Sequence, residues 1–496
     1  MTNLLVFPIL LPLVSAVLFI LARVRDRHAG TVAIAGALAH LFVSFMLMAR
    51  VMEHKVTVMW VGAWPYPAGI CLVADYLSAV MVLITAVIHT AVVVYATKDI
   101  ETRQIKAGFY PFMQILTAAI CGAFLTGDLF NLYVWFEVML MASFGIMVME
   151  NRAGRLTNAV KYVVLNLLST LFLITAIGLL YGLTGTLNLA DLHDKAAQVE
   201  NTALFTSTAM LMMTAFGIKA ALFPLFFWLP AAYHTLPAAV AAFFAGLLTK
   251  VGVYALIRLF TLVFVTQTHI THTSLMGIAM LTMVSGVVTA ASQMDIRRIL
   301  SFHIISQVGY MILGLAVFTP LSLAGTLVYL VHNSIAKSNL FLVGGLIHRA
   351  TGTFHLSQMG SLYKTHGLLS AGFFIPAFSL AGFPPLSGFW AKLLIIYACL
   401  ETRHYTAAAV AAAVGLLTLF SMAKIWLEAF WKQPPQKDPL SLPKKYSAWT
   451  MAPVLCLCLF TILLGLFMEP VMQLSLAAGE QLMNPAAYII AVKGGG

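Results

Sequence analysis

The sequence predicts an all-α polytopic membrane protein with about fourteen transmembrane helices, and three observations carry that prediction. The first is composition. Of 496 residues, 61% are hydrophobic and 9% are charged, against about 45–50% apolar and about 25% charged in an average soluble chain. The second is segmentation: the apolar residues fall into fourteen runs near the ~20 residues that a helix needs to cross a bilayer. The third is the basic residues, which favour every second loop. Together these exclude a soluble enzyme, a disordered chain and a disulfide scaffold. The net charge of +11 does not indicate nucleic-acid binding, because the basic residues lie between apolar runs and form no stripe on a folded domain.

The spans read as 4–22, 31–50, 72–97, 109–126, 130–149, 159–183, 203–226, 237–262, 273–292, 299–318, 322–346, 367–398 (broken), 406–430 and 448–474. Arginines follow the first span and do not precede it, so it reads as a membrane helix and not as a cleavable signal peptide. An even count puts both termini on one side. Alternate loops from the first carry Arg23, Arg25, Arg27, Lys98, Arg103, Lys106, Arg152, Arg155, Arg297, Arg298, Arg349, Lys364, Lys432, Lys437, Lys444 and Lys445. The opposite loops and the C-terminus carry only Arg50, Lys55, Lys195, Arg258, Arg403 and Lys493. That excess places the first set in the cytoplasm and both termini outside. The longest polar stretches, 184–202 and 432–447, are loop-sized. Cys71, Cys121, Cys399, Cys456 and Cys458 are odd in number, match no zinc spacing and read as small apolar residues of membrane helices.

Inside the spans stand Glu137, Lys219, Lys250, His332, Lys337, Lys392 and Lys424. A charged side chain at the bilayer centre costs about 2.5–3.5 kcal/mol on the insertion scale, so such groups must face the protein interior, pair, or line hydrated cavities. Lys424 has two readings, as one of this set or as a lysine snorkelling to the interface beside Trp426 and Trp431. Asp75 and Lys161 sit nearer span ends and read as interfacial. His332 reads either as a neutral core histidine or as a proton carrier. One carboxylate and a row of lysines suit a proton wire, because burial and a nearby carboxylate push a lysine's proton affinity in opposite directions. A rigid cation pore would want carboxylates or carbonyls. No haem, quinone or nucleotide signature accompanies the set, so no cofactor is expected, and the sequence assigns no cation site.

Two segments carry helix breaks. In GIKAALFPLFFWLPAAYHTLP, Lys219 lies five residues before Pro224. In LAGFPPLSGFWAKLL, Pro384, Pro385, Ser387 and Gly388 precede Lys392. Proline removes a backbone hydrogen bond and frees carbonyls that water or a side chain must satisfy. Interrupted helices at matching places in two halves point to inverted repeats with a site at the breaks.

These residues also carry a resemblance. Glu137 in its apolar helix, Lys219 with WLPAAYHTLP, LLTKVGVYALIR around Lys250, DIRRILSFHIISQVGY, HNSIAKSNLF around Lys337 and LAGFPPLSGFWAK occur in the same order as in the proton-pumping membrane subunits of respiratory complex I and in the Mrp-type multisubunit Na⁺/H⁺ antiporters. Among these the chain most resembles the D-type subunits of the antiporters. It departs from complex I relatives at PAAYH, where they carry PDAH, and at Gln307, where they often carry histidine; His303 or water would then substitute.

The resemblance implies two inverted five-helix repeats, each with a broken helix. It divides the chain into N-terminal helices (1–108), a first repeat (109–262), a second repeat (263–431) and a cytoplasmic loop with a C-terminal helix (432–496). It implies a proton path through Glu137, Lys219, Lys250, His332, Lys337 and Lys392. Glu137 and Lys219 would be the modulating pair, His332 and Lys337 the bridge between halves, and Lys392 the terminal switch. The expected activity is proton translocation in a bacterial plasma-membrane Na⁺(cation)/H⁺ antiporter, a transporter component and not an enzyme, with other antiporter subunits as partners. The alternative is a proton-pumping subunit of a complex I-type oxidoreductase or membrane hydrogenase.

Overall fold

A helix that is apolar on every side belongs at the centre of a bundle, and two helices meet that description. Every residue from Ala239 to Leu262 of the Ala238–Leu262 helix is buried. So is every residue from Ser322 to Ile347 of the Pro320–Thr351 helix. The computed structural model describes residues 2–21, 26–62, 64, 66–149, 153–434 and 447–494. Around the two central helices it arranges a helical bundle, and each of the fourteen apolar runs contains helix, although the runs and the helices do not correspond one to one. Eleven helices among the described residues are long and apolar enough to cross a membrane; Phe109–Leu125 and Gly367–Ala381 are shorter apolar helices.

The central helices cross at small residues. Ser338 Oγ donates to the Ala242 carbonyl at 3.0 Å, and a Cβ on Gly246 would collide with that same hydroxyl. Gly252 lets the first central helix approach the end of Thr202–Ala220, since a Cβ there would lie 2.7 Å from the Ala220 nitrogen. Small residues at such crossings let backbones pack closely where lipid offers no hydrophobic contrast.

Helix ends are set by local chemistry. Asp75, Asp128, Asn201, Asp295 and Thr319 each accept a backbone N–H of the following turn, which satisfies donors that no intrahelical partner reaches. Asp75 and Ser78 close a reciprocal capping box, so the helix starts at Tyr76 and not at residue 72. Cys71–Ala74 is instead a strand, antiparallel to Thr57–Trp60; this hairpin is the departure from an all-α reading. The run 203–226 also divides, because the helix ends at Ala220 and a short Trp228–Tyr233 helix follows. After Ala448–Leu466 come two further helices, Met468–Met483 and Ala486–Gly494.

Both chain ends lie at one end of the bundle. The Thr2–Val6 turn packs on the hairpin, and Lys493 pairs with Asp194 of Leu189–Ala196. The loop charges Arg23, Arg25, Arg152, Lys437, Lys444 and Lys445 fall outside the described residues.

Candidate functional site

The first half of the site forms where three helices meet. Glu137 projects from Leu129–Val148, Thr170 from Ala153–Thr184, and Lys219 from the last turn of Thr202–Ala220. Glu137 and Lys219 do not form a direct ion pair. Thr170 Oγ1 donates to Glu137 Oε1 at 2.6 Å and accepts from Lys219 Nζ at 3.4 Å. The ammonium also lies 5.3 Å from the Phe136 ring centre, a cation–π distance. One hydroxyl thus joins the acid to the base. Beside Lys219 a cavity of about 20 Å³ is bordered by Tyr162, Asn166, Trp228 and Leu248, room for about one water.

The break beyond Lys219 is built from sequence upward. Ala221 adopts φ +61°, a left-handed conformation that costs a non-glycine residue about 1–2 kcal/mol. The carbonyls this turn frees are taken locally: Leu222 N–H donates to the Gly217 oxygen at 2.8 Å, and Trp228 Nε1 donates to the Ile218 oxygen at 2.9 Å.

Lys250 is fully buried and donates to the Ala245 carbonyl of its own helix. Lys337, fully buried on the other central helix, donates to the Leu300 carbonyl at 3.3 Å. Lys250 lies four residues from Gly246 and Lys337 is next to Ser338, so both stand near the crossing of the central helices.

From Leu300 the Ile296–Val317 helix presents His303, Gln307 and Tyr310 at three- and four-residue spacing, which places them on one face. Pro320–Thr351 faces it with Asn333 and Tyr329, each four residues from the next group of the stripe that starts at Lys337. Tyr329 donates to Gln307 Oε1, and Tyr329 stacks on Tyr310 with ring centres 5.2 Å apart. Lys392 Nζ lies 5.3 Å from the Tyr310 ring centre. Along this corridor His303 Nδ1, Ser306 Oγ, Gln307 Nε2 and both polar atoms of the Asn333 amide are buried without a protein partner. Such groups are ordinarily satisfied by water.

The second break holds His332 and Lys392. Gly367–Ala381 ends at Gly382, φ +94°, and the chain resumes helix at Ser387. Lys392 reaches back across the break to donate to the Ala381 carbonyl at 2.9 Å, satisfying a helix-terminal acceptor. A Cβ on Gly382 would lie 3.0 Å from Lys392 Cδ, so glycine serves both the backbone and the lysine. His332 Nδ1 lies 2.9 Å from Ser387 Oγ and 3.4 Å from Ser379 Oγ. It is therefore tied to both sides of the second break, not to the crossing between the halves. Lys219 precedes its break in the chain and Lys392 follows its own.

Several polar groups lie where the sequence reading does not put them. Asp75, the N-cap of Tyr76–Asp99, is 1% exposed and accepts two Arg258 hydrogen bonds at 2.7 and 2.9 Å, so the two residues pair inside the bundle, and Arg258 belongs to the first central helix and not to a loop. The i, i+8 spacing of Lys250 and Arg258 on one apolar helix is the legible signal. Lys424 donates to the Ala291 and Gln293 carbonyls at 2.6 and 2.7 Å, which close the end of the Thr268–Ser292 helix. Lys161 is exposed. His303 Nε2 lies 2.9 Å from Ser421 Oγ. Nothing local in the sequence marks Thr170 as the bridging hydroxyl. No cluster of three or more His, Cys, Asp or Glu suited to a metal ion occurs among the described residues.

Comparison with known proteins shows the family. Residues 126–418 match the family described as NADH:quinone oxidoreductase/Mrp antiporter, transmembrane, a stretch that holds every group of the row. A protein of Alkalihalophilus pseudofirmus, named as the D-type subunit of an Na⁺/H⁺ antiporter, is 44% identical over 99% of both chains. Its namesake in Bacillus subtilis is 37% identical over 99% of both. A chain in the structure of the Mrp complex from a Dietzia species superposes with a TM-score of 0.91 at 34% identity, over 99% of both chains. A chain of an archaeal membrane-bound sulfane sulfur reductase shares the fold, with a TM-score of 0.92 at 24% identity over 98% of this chain and 99% of that one. Matched along its whole length by such relatives, and over both broken helices by the family pattern, the chain belongs to the NADH:quinone oxidoreductase/Mrp antiporter transmembrane family.

Proposed function

We propose that this chain is the proton-translocating subunit of a multisubunit Na⁺(cation)/H⁺ antiporter in the bacterial plasma membrane, with both termini outside. It is a transporter component, not an enzyme, and works in a hetero-oligomer with other antiporter subunits. The observation that carries the reading is the row Glu137, Lys219, Lys250, Lys337 and Lys392, buried or half-buried between two helix breaks and spaced by hydroxyl, amide and imidazole groups. The names of the antiporter relatives support the sodium half.

In this reading residues 109–262 and 263–431 act as two repeats. Glu137 modulates Lys219 through Thr170, since an opposite charge within about 4–6 Å favours the protonated lysine. A small movement of Leu129–Val148 then loads or releases the proton. Lys250 and Lys337 carry the charge across the central crossing. The corridor of His303, Gln307, Tyr329 and Asn333 leads it to Lys392, and His332 sets the geometry of the break where Lys392 switches.

The test is sodium-dependent dissipation of a preset pH gradient in membrane vesicles bearing all subunits, with no electron donor. Wild type, Glu137→Gln and Lys219→Ala are compared at equal assembly. Flux in wild type that vanishes in both variants supports the proposal. Full exchange in either variant refutes the path, and an assembled wild type without cation-dependent flux moves the reading to a redox-driven pump.

A further inference from the structure

We propose that this chain binds one anionic phospholipid of the surrounding bilayer in a groove between the Asp26–His54, Tyr76–Asp99 and Ala448–Leu466 helices. The groove has about 850 Å³ of space and an almost wholly apolar lining. Along the same three helices, beyond one end of the groove, lies a more polar pocket of about 220 Å³. The two linings align as one stripe per helix. Gly30, Ile34, Leu38, Phe42 and Phe45 run down the first wall. Lys98, Val94, Ala91, Val87 and Leu83 run down the floor. Trp449, Pro453, Cys456, Phe460 and Leu464 run down the second wall.

Length selects the occupant. Each stripe spans fifteen residues from its polar to its apolar end, about 22 Å at ~1.5 Å rise per residue. That is one leaflet, half of the ~40–45 Å that a bilayer measures with its headgroups. A neighbouring transmembrane helix would run through the full ~30 Å hydrocarbon core. One polar end and one apolar end is the polarity of a lipid.

Chemistry at the polar end selects the headgroup. Tyr110 is 2% exposed and borders this pocket beside Gly30, where a Cβ would lie 3.5 Å from the tyrosine hydroxyl. Lys98 borders the pocket and is exposed. Of the described acids close to it in sequence, Glu101 is exposed and Asp99 is engaged by Arg349 at 2.8 Å. A phosphate there would meet the Lys98 ammonium and could accept from Tyr110. Trp449, 54% exposed at the mouth, is the residue type that settles at the headgroup level.

The position gives the lipid a task. Val331 and Ile335 of the central Pro320–Thr351 helix also line the groove, and they flank His332. Acyl chains lying on them would complete the apolar wall behind the buried histidine and keep water from the membrane side out of the corridor.

The assembled complex is tested in native membranes with a phosphatidylglycerol that carries a photoactivatable diazirine in its acyl chains, followed by mass mapping of adducts. The expected result is strong labelling around Phe42, Val87 and Cys456, above the level at the outward-facing Val164 and Leu171 of Ala153–Thr184, which are 59% and 58% exposed. Ala452→Trp, or Ala91→Phe if that variant fails to assemble, fills the groove and should remove the excess. Lys98→Gln should lower it about fivefold, the effect of about one charge at a lipid surface. Groove labelling equal to that at Val164 and Leu171 overturns the proposal, as does labelling unchanged by the filled groove. A bifunctional maleimide that links Cys456 to another subunit in high yield would show a protein helix in the groove, and overturns it too.

Discussion

Thr170→Val removes one oxygen atom and keeps the shape of the side chain, which makes it the sharpest probe of how Glu137 reaches Lys219. In the structure the hydroxyl donates to the carboxylate at 2.6 Å and accepts from the ammonium at 3.4 Å. A hydrogen bond to a charged group contributes about 1.5–3 kcal/mol. Valine forfeits the carboxylate bond and lines the space between two charges with methyls. At ~1.4 kcal/mol per factor of ten, the equilibrium that couples acid and lysine should weaken about tenfold to a hundredfold. The assay is the initial rate of sodium-dependent pH-gradient dissipation in vesicles, measured across pH. Thr170→Val should lower the rate and displace its pH profile, while Thr170→Ser, which keeps the hydroxyl, should restore both. A Thr170→Val complex with wild-type rate and profile refutes the bridging role and leaves Glu137 and Lys219 to meet in some other state.

Other perturbations test the remaining supports. Gly388→Ala places a Cβ against the Ser379 carbonyl and 2.7 Å from His332 Nε2; overpacking of this kind costs about 1–3 kcal/mol, and scanning fluorimetry of the purified complex should show a lower Tm together with lost flux. Gly252→Val drives a side chain into the Ala220 backbone and should separate Lys250 from the first break, with flux falling further than stability; equal flux would show that the close approach is not needed. Asp75→Leu strands the buried Arg258, and breaking such a pair costs about 3–5 kcal/mol. Asp75→Leu with Arg258→Met should regain most of that loss in the same unfolding assay, and a double variant no better than the single would refute the pairing argument.

Much of the fold is legible because lipid imposes strong rules on sequence. A run of apolar residues long enough to span could hardly be anything else, and each of the runs contains helix. The breaks are legible for the same reason: Pro224, Pro384 and Pro385 cannot continue a backbone ladder. The misreadings share a different cause. Residues 72–74 are as apolar as the helix that follows, and only the Asp75–Ser78 capping box tells strand from helix. Asp75 does stand at a helix start, but read one at a time neither it nor Arg258 reveals that, 183 positions apart, they satisfy each other. Thr170 is invisible because a threonine in an apolar helix carries no anomaly to notice; it acquires meaning only when two other helices bring charges to it. Sequence announces groups that are expensive in lipid and stays silent about cheap groups that connect them.

That asymmetry bears on why the row is made of lysines. Each long side chain ends on a backbone carbonyl or a hydroxyl: Lys219 on Thr170, Lys250 on Ala245, Lys337 on Leu300, Lys392 on Ala381. Two of these acceptors depend on how the backbone ends or crosses. Ala381 offers its carbonyl because the helix stops there, and Leu300 offers its own because Ile296–Val317 lies against the central helix. A carboxylate at these positions would instead need donors, and continuous helices present none. Lysine is therefore the ionisable group that a broken-helix bundle can hold with acceptors it already owns. For Lys219, Lys337 and Lys392 the acceptor lies on another helix, so sliding one helix against the other by a fraction of a turn would remove it. In the proposed mechanism a movement started at Glu137 would then propagate from lysine to lysine without a second carboxylate in the row.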